Sequence, residues 1–192
     1  MSGATRMGDL LRETQGMELD QFLARSPYPF LVRETTRPSG EWPALPPEAG
    51  KGERSTARVD AASIPTGDGS ARDEVLVYPV CPADPERQEG AVVIGRGAEC
   101  DVVIDDASVS TRHAEVTLQV DDEDEKEFFV TDLGSSNGTF LDGTRLPPAT
   151  PRRIDDSMSL RLGPAVKLQF FTAPAFHLFL GFYRRIPPKG KR

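Results

Sequence analysis

The chain has 192 residues, a formal net charge of −7 and a hydrophobic fraction of 38%. This length suffices for one domain of ordinary size with additional segments, and the composition is typical of a soluble protein. Acidic side chains outnumber basic ones in residues 73–171, whereas residues 172–192 hold basic side chains and no acidic ones. Because a net acidic surface repels the phosphates of nucleic acids, the charge of the middle of the chain argues against a general DNA- or RNA-binding face.

The cysteine content and the apolar runs indicate the compartment. The chain has 2 cysteines, Cys81 and Cys100, which are too few for a disulfide framework. We find no signal-peptide pattern near the start. The longest apolar run, Ala173–Tyr183, is shorter than the roughly 18 residues of a membrane-spanning helix and contains His177 and Gly181. We therefore predict a cytoplasmic protein with reduced thiols and no transmembrane segment.

The first part of the chain contains an N-terminal extension and a linker. Residues 1–37 form the predicted extension, in which apolar residues recur at a spacing that favours a short helix or two, interrupted by Gly16. These apolar residues are Leu10, Leu11, Leu19, Phe22 and Leu23. Residues 38–72 are rich in proline, glycine, serine and charged residues and offer little to bury. We predict a disordered linker there.

From Glu74 onwards the sequence changes to short apolar and β-branched runs that are separated by turn residues. The predicted strands are Val75–Val80, Ala91–Ile94, Val102–Ile104, Ala114–Val120, Phe128–Asp132, Thr139–Leu141, Ser159–Leu162 and Ala165–Phe171. Many short strands at close spacing indicate an antiparallel sandwich or barrel. The acidic run at residues 121–127 predicts a solvated hairpin loop.

Three clusters of polar residues follow the ends of predicted strands. They are Gly95-Arg96, the run from Ser108 to His113, and the run from Gly134 to Thr139. Hydroxyl groups and loop amides donate hydrogen bonds to anionic oxygens, and an arginine adds charge-assisted bidentate bonds. This mixture favours phosphate recognition by loops over catalysis.

The spacing of these clusters resembles a known signature. Gly95-Arg96, Ser110-x-x-His113 and Ser136-Asn137-Gly138 are similar, in order and spacing, to the motifs of the forkhead-associated (FHA) family. The resemblance covers roughly half of the chain, the predicted domain at residues 73–171. It implies an all-β protein, an FHA-type antiparallel β-sandwich with short helical or irregular N- and C-terminal extensions. In that family the loops at one end of the sandwich bind phosphothreonine.

The resemblance also implies a phosphate-binding set. Arg96 would contact the phosphate, and Ser110 would donate its hydroxyl hydrogen to the same group. Thr111 and Arg112 follow in the same loop and would add a backbone or side-chain contact, although the family often has arginine at the position of Thr111. The alternative for Arg96 is a surface salt bridge with a nearby carboxylate such as that of Glu99.

The third motif and the loop-supporting residues complete the predicted site. Ser136 would face the phosphate or the threonine methyl group, and the Asn137 side chain would hold the peptide backbone. For Ser136, as for the serine of the second motif, the alternative is ordinary turn capping. His113 and Gly95 would support the loop architecture, and Gly138 would supply a positive φ angle.

The C-terminal tail, residues 172–192, is aromatic and apolar at first and then basic. So apolar a segment requires a partner surface. We expect it to pack against Phe22, Leu23 and the Tyr28–Val32 segment of the N-terminal extension. The alternatives are a partner protein or an interfacial membrane contact.

The predicted function is that of a phosphothreonine-peptide-binding signalling adaptor. It would recruit a threonine-phosphorylated protein such as a Ser/Thr kinase or its substrate, because only the modified threonine carries the charge that the arginine would recognise. The alternative is a phospho-independent scaffold or oligomerisation protein that uses the sandwich and its hydrophobic terminal extensions. We find no nucleophile elbow, no P-loop and no set of zinc ligands, so we predict neither catalysis nor a cofactor or metal.

Overall fold

The computed structural model describes residues 4–34, 75–84, 86–87, 90–120 and 125–185. The predicted linker at residues 38–72 lies outside the described residues. The elements are, in chain order, β1 (Thr5–Arg6), α1 (Met7–Glu13), α2 (Leu19–Arg25), β2 (Phe30–Glu34), β3 (Val75–Pro79), β4 (Val92–Gly95), β5 (Val102–Val103), β6 (Ala114–Val120), β7 (Lys126–Asp132), β8 (Thr139–Leu141), β9 (Thr144–Arg145), β10 (Arg152–Ile154), β11 (Ser159–Leu162), β12 (Val166–Phe171) and α3 (Ala173–Arg185).

The strands form two sheets. One has seven strands in the order β1-β3-β2-β12-β11-β8-β9, and the other has five in the order β10-β7-β6-β4-β5. Neighbouring strands in the described part of the chain run antiparallel, except that β4 and β5 are parallel. The predicted antiparallel β-sandwich is therefore confirmed.

The main hydrophobic core lies between the two sheets. Successive side chains of a strand point to opposite faces, and on β12 Leu168 and Phe170 face this core whereas Phe171 faces away from it. Phe170 meets Phe128 of the opposite sheet, with ring centroids 5.5 Å apart. Because burying one large apolar side chain contributes about 1.5–3 kcal/mol, this core holds the two sheets together.

A second hydrophobic core covers the other face of the seven-stranded sheet. The three helices, which we call the helical layer, pack there against β2, β3 and the end of β12. The ring of Phe176 in α3 stacks on Phe30 of β2, with centroids 4.2 Å apart, and lies 6.3 Å from Phe22 of α2. The structure thus shows the expected packing of the C-terminal tail on the N-terminal region, for the part of the tail up to Arg185.

The N-terminal region contributes more than helices. β2 lies between β3 and β12 in the middle of the seven-stranded sheet, and β1 pairs with β3 at its edge. The sheet therefore contains residues that precede the predicted domain boundary at 73. The independent folding of the predicted domain, residues 73–171, stays a prediction.

The remaining expectations concern the acidic hairpin and the membrane. β6 and β7 form an antiparallel hairpin whose last pair is Val120 with Lys126, and residues 121–124 lie outside the described residues. Of the three helices in the described ranges, none has the length and hydropathy needed to cross a membrane.

Candidate functional site

Three loops meet at one end of the sandwich, which we call the loop end. They are the β4–β5 loop (residues 96–101), the β5–β6 loop (104–113) and the β7–β8 loop (133–138). All three polar sequence clusters lie in these loops or at the strand ends beside them. Hydrogen bonds between the loops, described below, bring the clusters together.

Arg96 is exposed and its backbone is fixed. Its backbone N–H donates to the carbonyl oxygen of Ser110 at 2.9 Å, and its Nε donates to the carbonyl oxygen of Val109 at 3.3 Å. Among the described residues no carboxylate forms an ion pair with Arg96, whereas Asp101 pairs with Arg87. The surface salt bridge considered from the sequence is therefore absent from the described part of the chain.

Ser110, Ser136 and Asn137 connect the other two loops. The Ser110 Oγ accepts a hydrogen bond from the backbone N–H of Ser136 at 3.1 Å, which leaves the hydroxyl hydrogen available to another acceptor. The Asn137 Nδ2 donates to the carbonyl oxygen of Ser108 at 2.8 Å. Both Ser136 and Asn137 are exposed, so a ligand can reach them.

Thr111 and Arg112 have exposed side chains beside this cluster. The Thr111 carbonyl oxygen accepts hydrogen bonds from the N–H of Gly97 at 2.9 Å and from the Cys100 Sγ at 3.1 Å. Neither side chain forms a hydrogen bond to the other loops among the described residues. The backbone of Thr111 is therefore part of the loop scaffold, while the two side chains extend into solvent.

His113 lies beneath the loops and is fully buried. Its Nδ1 accepts a hydrogen bond from the N–H of Ser110 at 3.0 Å, so its Nε2 is the atom that donates to the carbonyl oxygen of Gly138, at 3.3 Å. Burial lowers the pKa of this histidine, although the Gly138 carbonyl and the charge of Asp132 oppose the shift. A neutral imidazole that spans two loops fits the expected supporting role better than a role in proton transfer.

Two glycines allow the loops to approach one another. A side chain at Gly95 would overlap the Thr111 carbonyl group and come within 2.8 Å of the Cys100 Sγ. Gly138 has a φ of +83°, as expected from its place in the motif, and a Cβ there would come within 2.6 Å of the Arg145 side chain. A larger residue at either position would therefore separate the loops or strain the backbone.

Asp132 at the end of β7 organises the β7–β8 loop, and the sequence interpretation gave it no role. Its carboxylate accepts hydrogen bonds from the N–H groups of Gly134 and Ser135 and from the hydroxyls of Ser135 and Thr139, at 2.5–3.0 Å. Burial by itself would raise the pKa of Asp132, but these hydrogen bonds hold it below its ordinary value. An aspartate at a strand end with a glycine and a serine two and three residues later, as in Asp132-Leu133-Gly134-Ser135, is a typical turn signal and was the available clue.

The arrangement suits the binding of an anion. A guanidinium with no ion pair to a described carboxylate, an available hydroxyl hydrogen and exposed amide groups lie on adjacent loops, and such donors form strong hydrogen bonds to phosphate oxygens. The described residues contain no group of three or more His, Cys, Asp or Glu side chains with metal-binding geometry.

Comparisons with known proteins agree with this picture. The family model of the FHA domain matches residues 92–163. FhaB of Mycobacterium tuberculosis, an FHA domain-containing protein, is 40% identical over 72 residues, which are 34% of this chain and 43% of FhaB. Human Kanadaptin is 34% identical over 88 residues, 43% of this chain and 12% of that protein. The match thus spans less than half the length of either relative.

Solved structures also include similar chains. The crystal structure of the MEK1 FHA domain has a TM-score of 0.42 and 26% identity, over 50% of this chain and 77% of that chain. Full-length yeast Pml1p has a TM-score of 0.44 and 17% identity, over 85% of this chain and 91% of that one.

The fold and the loops together define a β-sandwich with a cluster of polar loops at one end. With the family match, the chain contains an FHA domain. FHA domains are non-catalytic interaction modules that typically bind phosphothreonine peptides in signalling.

Proposed function

We propose that this protein is a signalling adaptor that binds phosphothreonine peptides and thereby recruits a threonine-phosphorylated partner, without catalysing a reaction. The observation that carries the proposal is the loop end itself. There Arg96, free of any described carboxylate, lies on a backbone that is hydrogen-bonded to the loop of Ser110, and Ser110 is in turn bonded to the Ser136 amide.

Each predicted site residue has a chemical task in this proposal. The Arg96 guanidinium and the Ser110 hydroxyl bind the phosphate oxygens, and Ser136 lies beside the phosphate or the threonine methyl group. Asn137 holds the peptide backbone with its carboxamide. Thr111 and Arg112, whose side chains extend into solvent at the same end, add contacts to the ligand.

Phosphorylation is the switch in this mechanism. An unmodified threonine lacks both the negative charge and the acceptor oxygens that a guanidinium binds. The proposed partner is a Ser/Thr kinase or a kinase substrate, and the proposed compartment is the cytoplasm. The acidic surface of the domain argues against a nucleic acid as the ligand.

A titration of the full-length chain tests the proposal. Phosphothreonine peptide pools, with unphosphorylated and phosphoserine counterparts, are titrated into wild type and Arg96→Ala. Losing a charged partner of a desolvated phosphate costs on the order of 2–4 kcal/mol, so the variant should bind at least about 30-fold more weakly. Arg12→Ala in the helical layer, where an exposed arginine pairs with Asp9, is the matched control and should bind like wild type.

The phospho-independent scaffold is the competing function. It depends on hydrophobic terminal extensions being available to partners, yet most apolar residues of α3 are buried against the N-terminal region. If folded wild-type protein bound no phosphothreonine peptide, or if Arg96→Ala bound them equally well, the adaptor proposal would be wrong and the scaffold would become the better explanation.

A further inference from the structure

A chain of polar contacts joins β2 to the loop end. Arg33, near the end of β2, donates from Nη2 to the Oδ2 of Asp106 in the β5–β6 loop at 2.8 Å. The two side chains are only 18% and 21% exposed, so solvent screens this ion pair less than a typical surface pair. Arg33 precedes residues 92–163, which carry the FHA family match.

The position of Arg33 on its strand explains the direction of its side chain. Leu31, two residues earlier, faces the core between the two sheets, and side chains two apart on a strand share a face. Arg33 pairs in register with Leu76 of β3, which packs against the same core. A guanidinium on this face, at the rim of the core, requires an acceptor, and Asp106 provides it.

Asp106 shapes the segment that follows it. Its Oδ1 accepts hydrogen bonds from the N–H of Ser108 at 3.0 Å and from the Ser108 hydroxyl at 2.7 Å, and its carbonyl oxygen accepts one from the N–H of Val109 at 3.0 Å. The two hydrogen bonds from Ser108, with the hydrogen bond and charge of Arg33 adding a smaller effect, hold the pKa of the Asp106 carboxyl below its ordinary value. The ionised carboxylate therefore fixes the conformation of residues 106–109.

The carbonyl groups of this segment hold two residues of the candidate site. The Ser108 carbonyl oxygen accepts from the Asn137 side chain at 2.8 Å, and the Val109 carbonyl oxygen accepts from the Arg96 Nε at 3.3 Å. A shift of residues 106–109 would therefore move the acceptors that orient both side chains.

We propose that Arg33 is a positioning residue of the phosphopeptide site, which acts through Asp106 and the Ser108–Val109 segment to orient Asn137 and Arg96. This inference rests on the proposed function for its effect on binding. Without Arg33, the Asp106 carboxylate retains Ser108 as a donor but loses its charged partner, and the segment loses its ion pair with β2. Small displacements of binding groups reduce affinity because the geometry of charge-assisted hydrogen bonds is strict.

The binding test compares two replacements of Arg33 in the full chain. Arg33→Met keeps a long apolar side chain without the charge, and Arg33→Lys keeps the charge. With a phosphothreonine peptide that wild type binds, Arg33→Met should bind about 5- to 10-fold more weakly, a change typical of coupled neighbouring groups, and Arg33→Lys should recover part of the affinity. Arg25→Met, which removes an exposed pair with Glu13 in the helical layer, should leave affinity unchanged.

A double-mutant cycle separates positioning from a general loss of stability. If Arg33 acts through Asn137, the effect of Arg33→Met should shrink in an Asn137→Ala background. An equal effect of Arg33→Met in both backgrounds would contradict the proposal that Arg33 acts by orienting Asn137. Equal affinity of wild type and Arg33→Met would overturn the inference.

Hydrogen exchange of the unliganded protein provides an independent measurement. The amides of Ser108 and Val109 donate to Asp106, so Arg33→Met should exchange them measurably faster while the amides of the helical layer are unaffected. Unchanged exchange at Ser108 and Val109 would overturn the inference. If wild type bound no phosphothreonine peptide, the proposed function would fail, whereas the exchange result would still decide whether Arg33 holds the loop.

Discussion

The loop end and the helical layer are held together by different forces. The helical layer is held to the sheet by aromatic rings around Phe176 of α3. This ring packs against Phe22 and Phe179 of the helices and against Phe30 and Phe171 of the sheet. The loop end is held by individual hydrogen bonds on buried groups such as His113 and Asp132. Aromatic packing is non-directional and contributes mainly stability, whereas directional hydrogen bonds fix the positions of the residues that would meet a ligand.

The largest expected effect is in the helical layer. Phe176→Ala removes a fully buried ring and should lower the free energy of unfolding by about 3–5 kcal/mol, from lost burial and the resulting cavity. Denaturant unfolding measures this change. Phosphopeptide affinity, measured where the variant is folded, should stay as in wild type, since the ring lies in the second hydrophobic core, which the helical layer forms with one face of the seven-stranded sheet. Leu178→Ala, about half exposed on the same helix, is the control and should change stability little.

An intermediate effect is expected at Asp132, and it should extend to binding. Asp132→Asn keeps the shape but removes the charge and one acceptor oxygen, which leaves buried donors such as Thr139 unsatisfied. The free energy of unfolding should fall by about 1–3 kcal/mol, and affinity for a phosphothreonine peptide should fall too. Asp105→Asn, at an exposed position, is the control. A loss of stability with unchanged affinity would show that the β7–β8 loop does not depend on this carboxylate for binding.

The smallest expected effect is a pH dependence at His113. Because burial lowers the pKa of His113 in the folded state, the unfolded chain binds a proton at a higher pH than the folded chain does. The stability that this histidine contributes is therefore fully present above its unfolded pKa of about 6.5 and is lost as the pH falls below that value. The slope of unfolding free energy against pH should flatten in His113→Asn and persist in His177→Asn. An unchanged slope in His113→Asn would contradict the attribution of this pH dependence to His113.

Local sequence signals were sufficient for the strands and for an antiparallel sandwich or barrel, and the resemblance carried by the three motifs selected the sandwich. Short apolar and β-branched runs between turn residues indicated strands such as Ala114–Val120, which matches β6 as observed. The glycines, serines and arginine of the three motifs lie in loops or at strand ends at one end of the sandwich, as is typical of turn-forming and ligand-binding residues. The contact between the apolar tail and the N-terminal region followed from the need of an apolar helix for a covering surface.

Other features could not be inferred because their causes are non-local. β2 is a five-residue run that precedes a long polar segment, and only its pairing with β3 and β12 identifies it as a central strand. The pair of Arg33 and Asp106 joins residues 73 positions apart, a separation over which no local pattern operates. Asp132 carried a turn signal, but the number of donors that converge on it depends on the folded loop.

Glu34, the last residue of β2, pairs with Val75, the first residue of β3. Neighbouring strands therefore hold together the two points of the chain between which residues 35–74 are inserted. Loop-closure entropy rises only with the logarithm of length, by about 0.6 kcal/mol for each doubling. A change in the number of residues between these two strands should consequently cost the fold little free energy, which makes that number one of the least constrained properties of this protein.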